Sequence, residues 1–174
     1  MSLKLVIFDV DGLLLDTERV WQDVWYDTAR DFGIDDWKRE DFLNVVGRSG
    51  QPVYDYMEEL FSGRCSTEEF MKVARQHGVE RLERELTAKP GAVELLNCIK
   101  KAGLPCAVAT ATSRSLTEER LTRLQLIQYF DYICCGDEVV ERKPSPEAYL
   151  KVLAKMNTAP EDALVFEDSK VGVQ

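Results

Sequence analysis

Four short apolar runs, each followed by polar residues, constrain the fold of this chain more than any other feature. They lie at residues 3–8, 104–110, 132–135 and 163–166. Continuous apolar runs of this length, rich in β-branched residues, are typical of strands buried on both faces. Helical patterns lie between the later runs, at 92–101, 116–124 and 147–156. This alternation predicts an α/β fold with a doubly wound parallel sheet, whose ligands bind beyond the carboxyl ends of the strands.

The segment 16–87 interrupts the alternation and contains no convincing strand. Apolar residues recur at helical spacing from Val20 to Phe32. Ser66 and Glu69 have the spacing of a capping box at the start of a further helix. Shorter helical patterns lie at 41–46 and 53–61. We therefore expect an all-helical insertion at 16–87, between the two parts of an α/β core at 1–15 and 88–174.

The chain is acidic, with a formal net charge of −9 over 174 residues. Nucleic acids and anionic membranes are therefore not expected as partners, because both require a basic surface. No apolar run approaches the roughly 20 residues that span a bilayer, and the five cysteines form no C-x-x-C pair. These features predict a cytoplasmic protein with reduced thiols. An anionic substrate would need a metal ion or a few well-placed lysines and arginines to bind here.

Acidic and polar residues follow the predicted strands, and a parallel sheet would gather them at one edge. They are Asp9, Asp11, Thr110, Lys143, Glu167 and Asp168. Each alone has an ordinary structural explanation, such as an Asp-Gly turn, a solvated lysine or a helix cap. Two carboxylates two residues apart repel unless a cation or a proton intervenes. Together the set predicts a Mg²⁺ site with oxygen ligands, a hydroxyl and a lysine for phosphoryl oxygens, and a carboxylate nucleophile.

Four segments resemble the motifs of the haloacid dehalogenase-like superfamily, in the same order. They are FDVDGLLLDTE at 8–18, VATATS at 108–113, GDEVVERKPSPEAY at 136–149 and VFEDSKVG at 165–172. The chain is most similar to the branch of β-phosphoglucomutases and sugar-phosphate phosphatases, which belongs to subfamily I and has a helical cap after the first strand. The resemblance implies a Rossmann-like core, a Mg²⁺ cofactor and a small phosphorylated metabolite as substrate.

The resemblance also implies roles for the acidic residues. Asp9 would attack phosphorus, forming an aspartyl-phosphate, while its other oxygen binds Mg²⁺. Asp11 would act as general acid and then as general base, with its main-chain carbonyl on the metal. Asp168 would be a metal ligand, and Glu167 either a ligand or a partner of one.

The remaining roles concern the phosphoryl group. Thr110 and the amide of Ala111 would donate hydrogen bonds to it, and Lys143 would offset the charge between it and Asp9. Such neutralisation allows an anionic nucleophile to approach an anionic phosphate.

Two positions depart from the mutase pattern of this branch. Mutases carry a histidine about where Trp21 stands, and a phosphate-binding arginine in the cap loop, whereas here Arg48 is near but shifted. These departures favour a phosphatase, with a phosphosugar mutase as the alternative. We nominate Trp21 and Arg48 as substrate-binding residues.

Two other classes of protein are alternatives to an enzyme. Phospho-accepting receiver modules also combine an acidic pair, Mg²⁺, a threonine and a lysine on a parallel sheet. In those modules the accepting aspartate lies strands after the acidic pair, whereas Asp9 follows the first strand and the helical insertion comes next. This order favours an enzyme, and a truncated, non-catalytic binding protein remains the other alternative.

Family members continue past the fourth motif with a helix and at least one strand, whereas this sequence ends at Gln174. We expect the strand at 163–166 to lack an outer neighbour and a covering helix. An intact chain is expected to be a monomer. In a shortened one, the exposed strand edge and apolar face would favour dimerisation or aggregation.

Overall fold

A computed structural model describes residues 3–45 and 51–174, and the chain forms two compact units. The core unit comprises Met1–Asp16 and Thr87–Gln174, and the helical unit comprises Thr17–Leu86. The limits predicted from the sequence differ from this division by one residue at each boundary. Within the described residues, no helix combines the length and the apolar character needed to cross a membrane.

Four helices make up the described part of the helical unit. They are α1 (Thr17–Asp31), α2 (Arg39–Leu43), α3 (Gln51–Phe61) and α4 (Thr67–Glu85). The hydroxyl of Ser66 accepts a hydrogen bond from the Glu69 N–H at 3.3 Å, so α4 begins at the predicted cap. Trp25 packs edge-to-face against Phe42 and Phe70 in the interior of this unit. The absence of strands predicted for the insertion is confirmed for its described residues.

The core unit contains a four-stranded parallel sheet. Its strands are β1 (Leu5–Phe8), β2 (Cys106–Ala109), β3 (Tyr132–Cys134) and β4 (Ala163–Phe166), in the order β3-β2-β1-β4. Phe8 is in register with Val108 on one side and Phe166 on the other, so the strands end at one edge. Every residue of β1 and β2 is buried, which explains their uninterrupted apolar sequence. The predicted parallel α/β sheet is confirmed.

Three helices accompany the sheet in the core unit. They are α5 (Ala92–Lys101), α6 (Arg114–Arg123) and α7 (Glu147–Lys155). Ala148 and Val152 of α7 pack against Leu5, Ile7 and neighbouring apolar residues of the sheet. The observed start of α7 at Glu147 agrees with the helical pattern at 147–156. The dipeptide Ser145-Pro146 alone is typical of an N-cap followed by proline at the first helical position. Pro146 is instead the residue before the helix, and the Glu147 N–H donates to the Ser145 hydroxyl at 3.4 Å.

The last strand, β4, lies at the edge of the described sheet beside β1. Its two central residues, Leu164 and Val165, are 43% and 41% exposed. Because successive side chains of a strand point to opposite faces, β4 is open on both faces.

Candidate active site

Lys143 links two carboxylates at the carboxyl ends of β1 and β4. Its Nζ donates hydrogen bonds to Asp9 Oδ1 at 2.7 Å and to Glu167 Oε2 at 2.6 Å. The side chains of Lys143, Asp9 and Glu167 are only 8%, 10% and 3% exposed. The Asp9 N–H also donates to the Phe166 carbonyl at 3.0 Å, which extends the pairing of β1 and β4 into the site. Three of the predicted residues thus form one buried charge cluster.

The three groups differ in how well their charges are compensated. Burial raises the pKa of Asp9 to about 7, although Lys143 opposes this shift. Burial also acts on Glu167, but hydrogen bonds from Lys143, Ser169 and Tyr149 outweigh it and lower the pKa of Glu167 to about 2. For Lys143, the effect of burial is outweighed by Asp9 and Glu167, so its pKa is raised. The negative charge of Asp9 is therefore the least compensated in the cluster, and a further cation would stabilise the ionised form of Asp9 most.

Asp9, Glu167 and Asp168 can contribute oxygen atoms that lie within 4.8 Å of one another. Carboxylate oxygens are the ligands that a hard cation such as Mg²⁺ prefers. The raised pKa of Asp9 is the second observation that fits a cation, since metal binding favours the ionised form of a buried carboxyl. The residues present therefore fit Mg²⁺, and Asp9, Glu167 and Asp168 are those that could hold it. The main-chain carbonyl of Asp11 stays a predicted ligand.

Thr110 lies at the end of β2 and is almost fully buried. Its N–H donates to the Cys134 carbonyl at 3.0 Å, and its hydroxyl oxygen accepts from the Thr112 N–H at 3.2 Å. Because a hydroxyl also carries one proton, Thr110 can still donate a hydrogen bond.

The loop that carries Thr110 packs closely against the turn after β3. A Cβ atom on Gly136 would lie 2.0 Å from the Ala111 carbonyl oxygen, closer than any real contact. The Gly136 N–H donates to the Thr112 carbonyl at 2.9 Å. Only glycine permits this approach, which fixes the main chain around Ala111, the predicted source of a phosphoryl hydrogen bond.

Asp11 is oriented by contacts of its own, separate from the lysine cluster. Thr112 Oγ1 donates to Asp11 Oδ2 at 2.6 Å, and Arg120 Nη1 donates to Oδ1 at 3.0 Å. Gly12 has φ of 84°, in the left-handed region that glycine adopts without strain, and this allows the chain to turn directly after Asp11.

The contacts of Glu167 and Asp11 include residues that the sequence analysis missed. They are Thr112, Arg120, Tyr149 and Ser169. Tyr149 donates its hydroxyl to Glu167 Oε2 at 2.7 Å, and Ser169 donates its hydroxyl to Oε1 at 2.7 Å. Thr112, Tyr149 and Ser169 stand inside the quoted motif segments, which could have identified them. Arg120 stands outside every segment and had no such signal.

The two residues nominated for substrate binding belong to the helical unit. The ring of Trp21 packs against Gly78 of α4, where a Cβ atom would lie 2.1 Å from the indole. Trp21 therefore has a packing role within its own unit, and its contact with a substrate stays a prediction. Arg48 lies outside the described residues, and its role also stays a prediction.

Comparisons with known proteins agree over almost the whole chain. Residues 6–174 match the family described as haloacid dehalogenase-like hydrolase. A phosphorylated carbohydrates phosphatase of Thermotoga maritima is 37% identical, over 99% of this chain and 79% of that protein. Hexitol phosphatase B of Escherichia coli is 28% identical, over 99% of this chain and 78% of its own length.

A solved structure gives the same result. A Thermotoga maritima protein provisionally assigned as a β-phosphoglucomutase superposes with a TM-score of 0.78 at 34% identity, covering 98% of this chain and 79% of that one. The family match, the sequence relatives and the solved structure each cover almost the whole chain. The chain belongs to the haloacid dehalogenase-like hydrolase family, and it is a phosphatase.

Proposed function

We propose that this phosphatase uses Mg²⁺ to hydrolyse small, sugar-phosphate-like phosphomonoesters through an aspartyl-phosphate on Asp9. The observation that carries the proposal is the buried Asp9 carboxylate, which accepts a hydrogen bond from Lys143 at 2.7 Å and groups with Glu167 and Asp168. The substrate class is supported by relatives that are a phosphorylated carbohydrates phosphatase and a hexitol phosphatase.

The chemistry divides into two displacements at phosphorus. In the first, an Asp9 oxygen forms a bond to phosphorus, the bond to the ester oxygen breaks, and Asp11 donates a proton to the leaving alkoxide. In the second, Asp11 takes a proton from a water molecule, which attacks phosphorus, releases inorganic phosphate and restores the Asp9 carboxylate. Positioned proton transfer of this kind contributes about 10²–10⁴-fold to a rate.

The other residues supply charge compensation and orientation. Lys143 and the Thr110 hydroxyl would stabilise the phosphoryl oxygens as their charge redistributes. Asp9, Glu167 and Asp168 would hold Mg²⁺, which when bound reduces the repulsion between an anionic nucleophile and an anionic ester. The aspartate pair thus has separate tasks, with nucleophilic attack at Asp9 and proton transfer at Asp11.

We assign substrate selection to the helical unit, with Arg48 and Trp21 as candidate contacts. The site residues described in the core unit act on the phosphoryl group, and we therefore assign contacts with the rest of the metabolite to the other unit. Segments 15–17 and 87–90 connect the two units and are the expected hinges. If Arg48 selects the substrate, Arg48→Ala should change the ranking of sugar phosphates more than it changes hydrolysis of p-nitrophenyl phosphate. Equal loss on both kinds of ester would contradict that role. All five cysteines are free; Cys106, Cys134 and Cys135 are buried, whereas Cys65 is half-buried and Cys98 is exposed. Free thiols support the proposed cytoplasmic location.

A phosphosugar mutase is the second candidate, because the chain resembles a structure assigned as a β-phosphoglucomutase. A mutase returns the phosphoryl group to another hydroxyl of the sugar, whereas a phosphatase transfers it to water. Phosphorus NMR of a reaction started with a hexose 1-phosphate separates the two. We expect inorganic phosphate as the product, and accumulation of the 6-phosphate isomer would favour the mutase.

The proposal is tested by assaying the purified chain against a panel of phosphorylated metabolites, with Mg²⁺ and with EDTA. We expect phosphate release that EDTA abolishes and Mg²⁺ restores. Asp168→Ala should raise the Mg²⁺ concentration needed for half-maximal activity, since the ion loses an anionic ligand. Full activity after removal of metal would contradict the assignment.

A further inference from the structure

We infer that Arg120 is a positioning residue for Asp11, holding its carboxylate in the orientation that proton transfer to the leaving group requires. This inference rests on the proposed role of Asp11. Arg120 belongs to α6, lies outside the four motif segments, and reaches Asp11 across 109 positions of sequence.

The geometry is a two-point contact. Thr112 Oγ1 donates to one carboxylate oxygen of Asp11 at 2.6 Å, and Arg120 Nη1 donates to the other at 3.0 Å. One hydrogen bond leaves a carboxylate free to rotate about its side-chain torsions, whereas two donors on different oxygens fix both its position and its plane. Such positioning bears on proton transfer, because the efficiency of a general acid depends on hydrogen-bond reach to the oxygen it protonates.

The burial and chemistry of Arg120 suit this task. Its side chain is 13% exposed, and that of Asp11 is 30% exposed, so the contact is shielded on the arginine side and open on the carboxylate side. The guanidinium donates but cannot accept, and it stays charged, so its hydrogen bond to the carboxylate is charge-assisted. Lys143 is directed to Asp9 and Glu167, so Asp11 receives its cation from Arg120 instead.

Two other roles for Arg120 predict different kinetics. If Arg120 bound the substrate phosphate, its removal would weaken the binding of all phosphomonoesters to the same extent and would mainly raise KM. If it only supported the fold, its removal would lower the fraction of active protein and reduce all rates by the same factor. A positioning role affects only esters whose leaving oxygen needs a proton. The ratio of the kcat/KM values for two esters that differ in this respect therefore distinguishes a positioning role from the other two.

The experiment compares Arg120→Met with wild type on two esters. One is p-nitrophenyl phosphate, whose leaving group departs without a proton, and the other is the best alkyl phosphate from the metabolite panel. The parameter is kcat/KM, which reports steps up to formation of the aspartyl-phosphate and so excludes the later role of Asp11 as base. Arg123→Met is the matched control, because Arg123 lies on the same helix and pairs with Glu119 at 3.5 Å.

We expect Arg120→Met to lower kcat/KM for the alkyl phosphate by about tenfold to a hundredfold, and for p-nitrophenyl phosphate by less than about threefold. Arg120→Lys, which retains a charged donor, should recover part of the loss, and Arg123→Met should leave the ratio unchanged. Equal losses on the two esters in Arg120→Met would overturn the inference.

Asp11→Asn separates this inference from the proposed function. If Asp11→Asn loses alkyl phosphate hydrolysis selectively and Arg120→Met does not, the positioning role alone is wrong. If Asp11→Asn shows no such selectivity, the proposed role of Asp11 is wrong and the inference falls with it. In the double variant, Arg120→Met should cause no further selective loss, because the group that it positions is already absent.

Discussion

Glu167 has the most completely satisfied carboxylate in the site, with donors on both oxygens. Lys143 and Tyr149 donate to Oε2, and the hydroxyl and N–H of Ser169 donate to Oε1. The Lys143 ammonium also lies 5.1 Å from the centroid of the Tyr149 ring. These contacts fix Glu167 and Lys143 relative to Asp9, so residues that touch no metal can control the shape of the metal site.

Tyr149→Phe removes one donor to Glu167 and leaves the ring in place. We expect the Mg²⁺ concentration for half-maximal activity to rise about tenfold, as is usual when a partner of a metal ligand is lost. Activity titrated against Mg²⁺ measures the effect. Tyr132→Phe is the control, because Tyr132 is the first residue of β3 and lies at the end of the strand opposite the site. An unchanged Mg²⁺ requirement in Tyr149→Phe would show that its hydroxyl does not support the site.

At the scale of elements, one arginine joins the start of α6 to the loop after β3. Arg114 forms two hydrogen bonds with Glu138, at 2.9 and 2.8 Å, and donates to the Ile133 carbonyl at 2.6 Å. Its main-chain N–H donates to Asp137 at 3.0 Å. The two loops joined in this way carry Thr110 and Lys143, so this network supports their relative placement.

Glu138→Gln should destabilise the core unit by about 1 kcal/mol at neutral pH, a small effect because the pair is partly exposed. The hydrogen bond from Arg114 lowers the pKa of Glu138 below its usual value. The stabilisation is therefore present above the pKa of the unfolded state and is lost as the pH falls through the lowered pKa of the folded state. Urea unfolding of wild type and variant should converge in acid.

The control for this measurement is Glu141→Gln, an exposed glutamate of the same loop. Its substitution should change stability little at any pH. A difference between wild type and Glu138→Gln that persists unchanged into strong acid would contradict the pairing.

Helices and strands were predictable from the sequence where burial determines which residue types occur. Contacts between residues that are distant in the sequence were not predictable. Strands β1 and β2 are recognisable because burial on both faces leaves no polar position, as in Leu5–Phe8. The start of α6 lies two residues before its predicted position, because Arg114 is held by Asp137 of another loop rather than by an apolar pattern. Asp9 and Lys143 were found because each follows a strand or lies in a motif segment, whereas Arg120 is one of many charged residues on a surface helix.

At the scale of the whole molecule, β4 presents two apolar side chains at a sheet edge. Leu164 and Val165 are both more than two-fifths exposed. Edge strands of this kind pair readily with other chains. We predict concentration-dependent self-association of the 174-residue chain, and expect Leu164→Lys to reduce it. Light scattering over a concentration series measures the effect.

Leu116→Lys is the matched control, because Leu116 is 44% exposed but lies on α6 rather than on a strand edge. It should leave the association unchanged. If both lysine substitutions reduced association equally, the cause would be general surface hydrophobicity rather than the strand edge. A wild-type protein that is monodisperse at all concentrations would contradict the prediction.

The central claim is that Asp9 is the nucleophile of a phosphomonoester hydrolase. The most direct test is the rate of Mg²⁺-dependent phosphate release by Asp9→Asn on the best substrate of the panel, with deamidation excluded by mass spectrometry. The amide is nearly the same size as the carboxylate but is not nucleophilic, so we predict a folded protein whose turnover falls at least about a thousandfold. Turnover within tenfold of wild type would contradict the account.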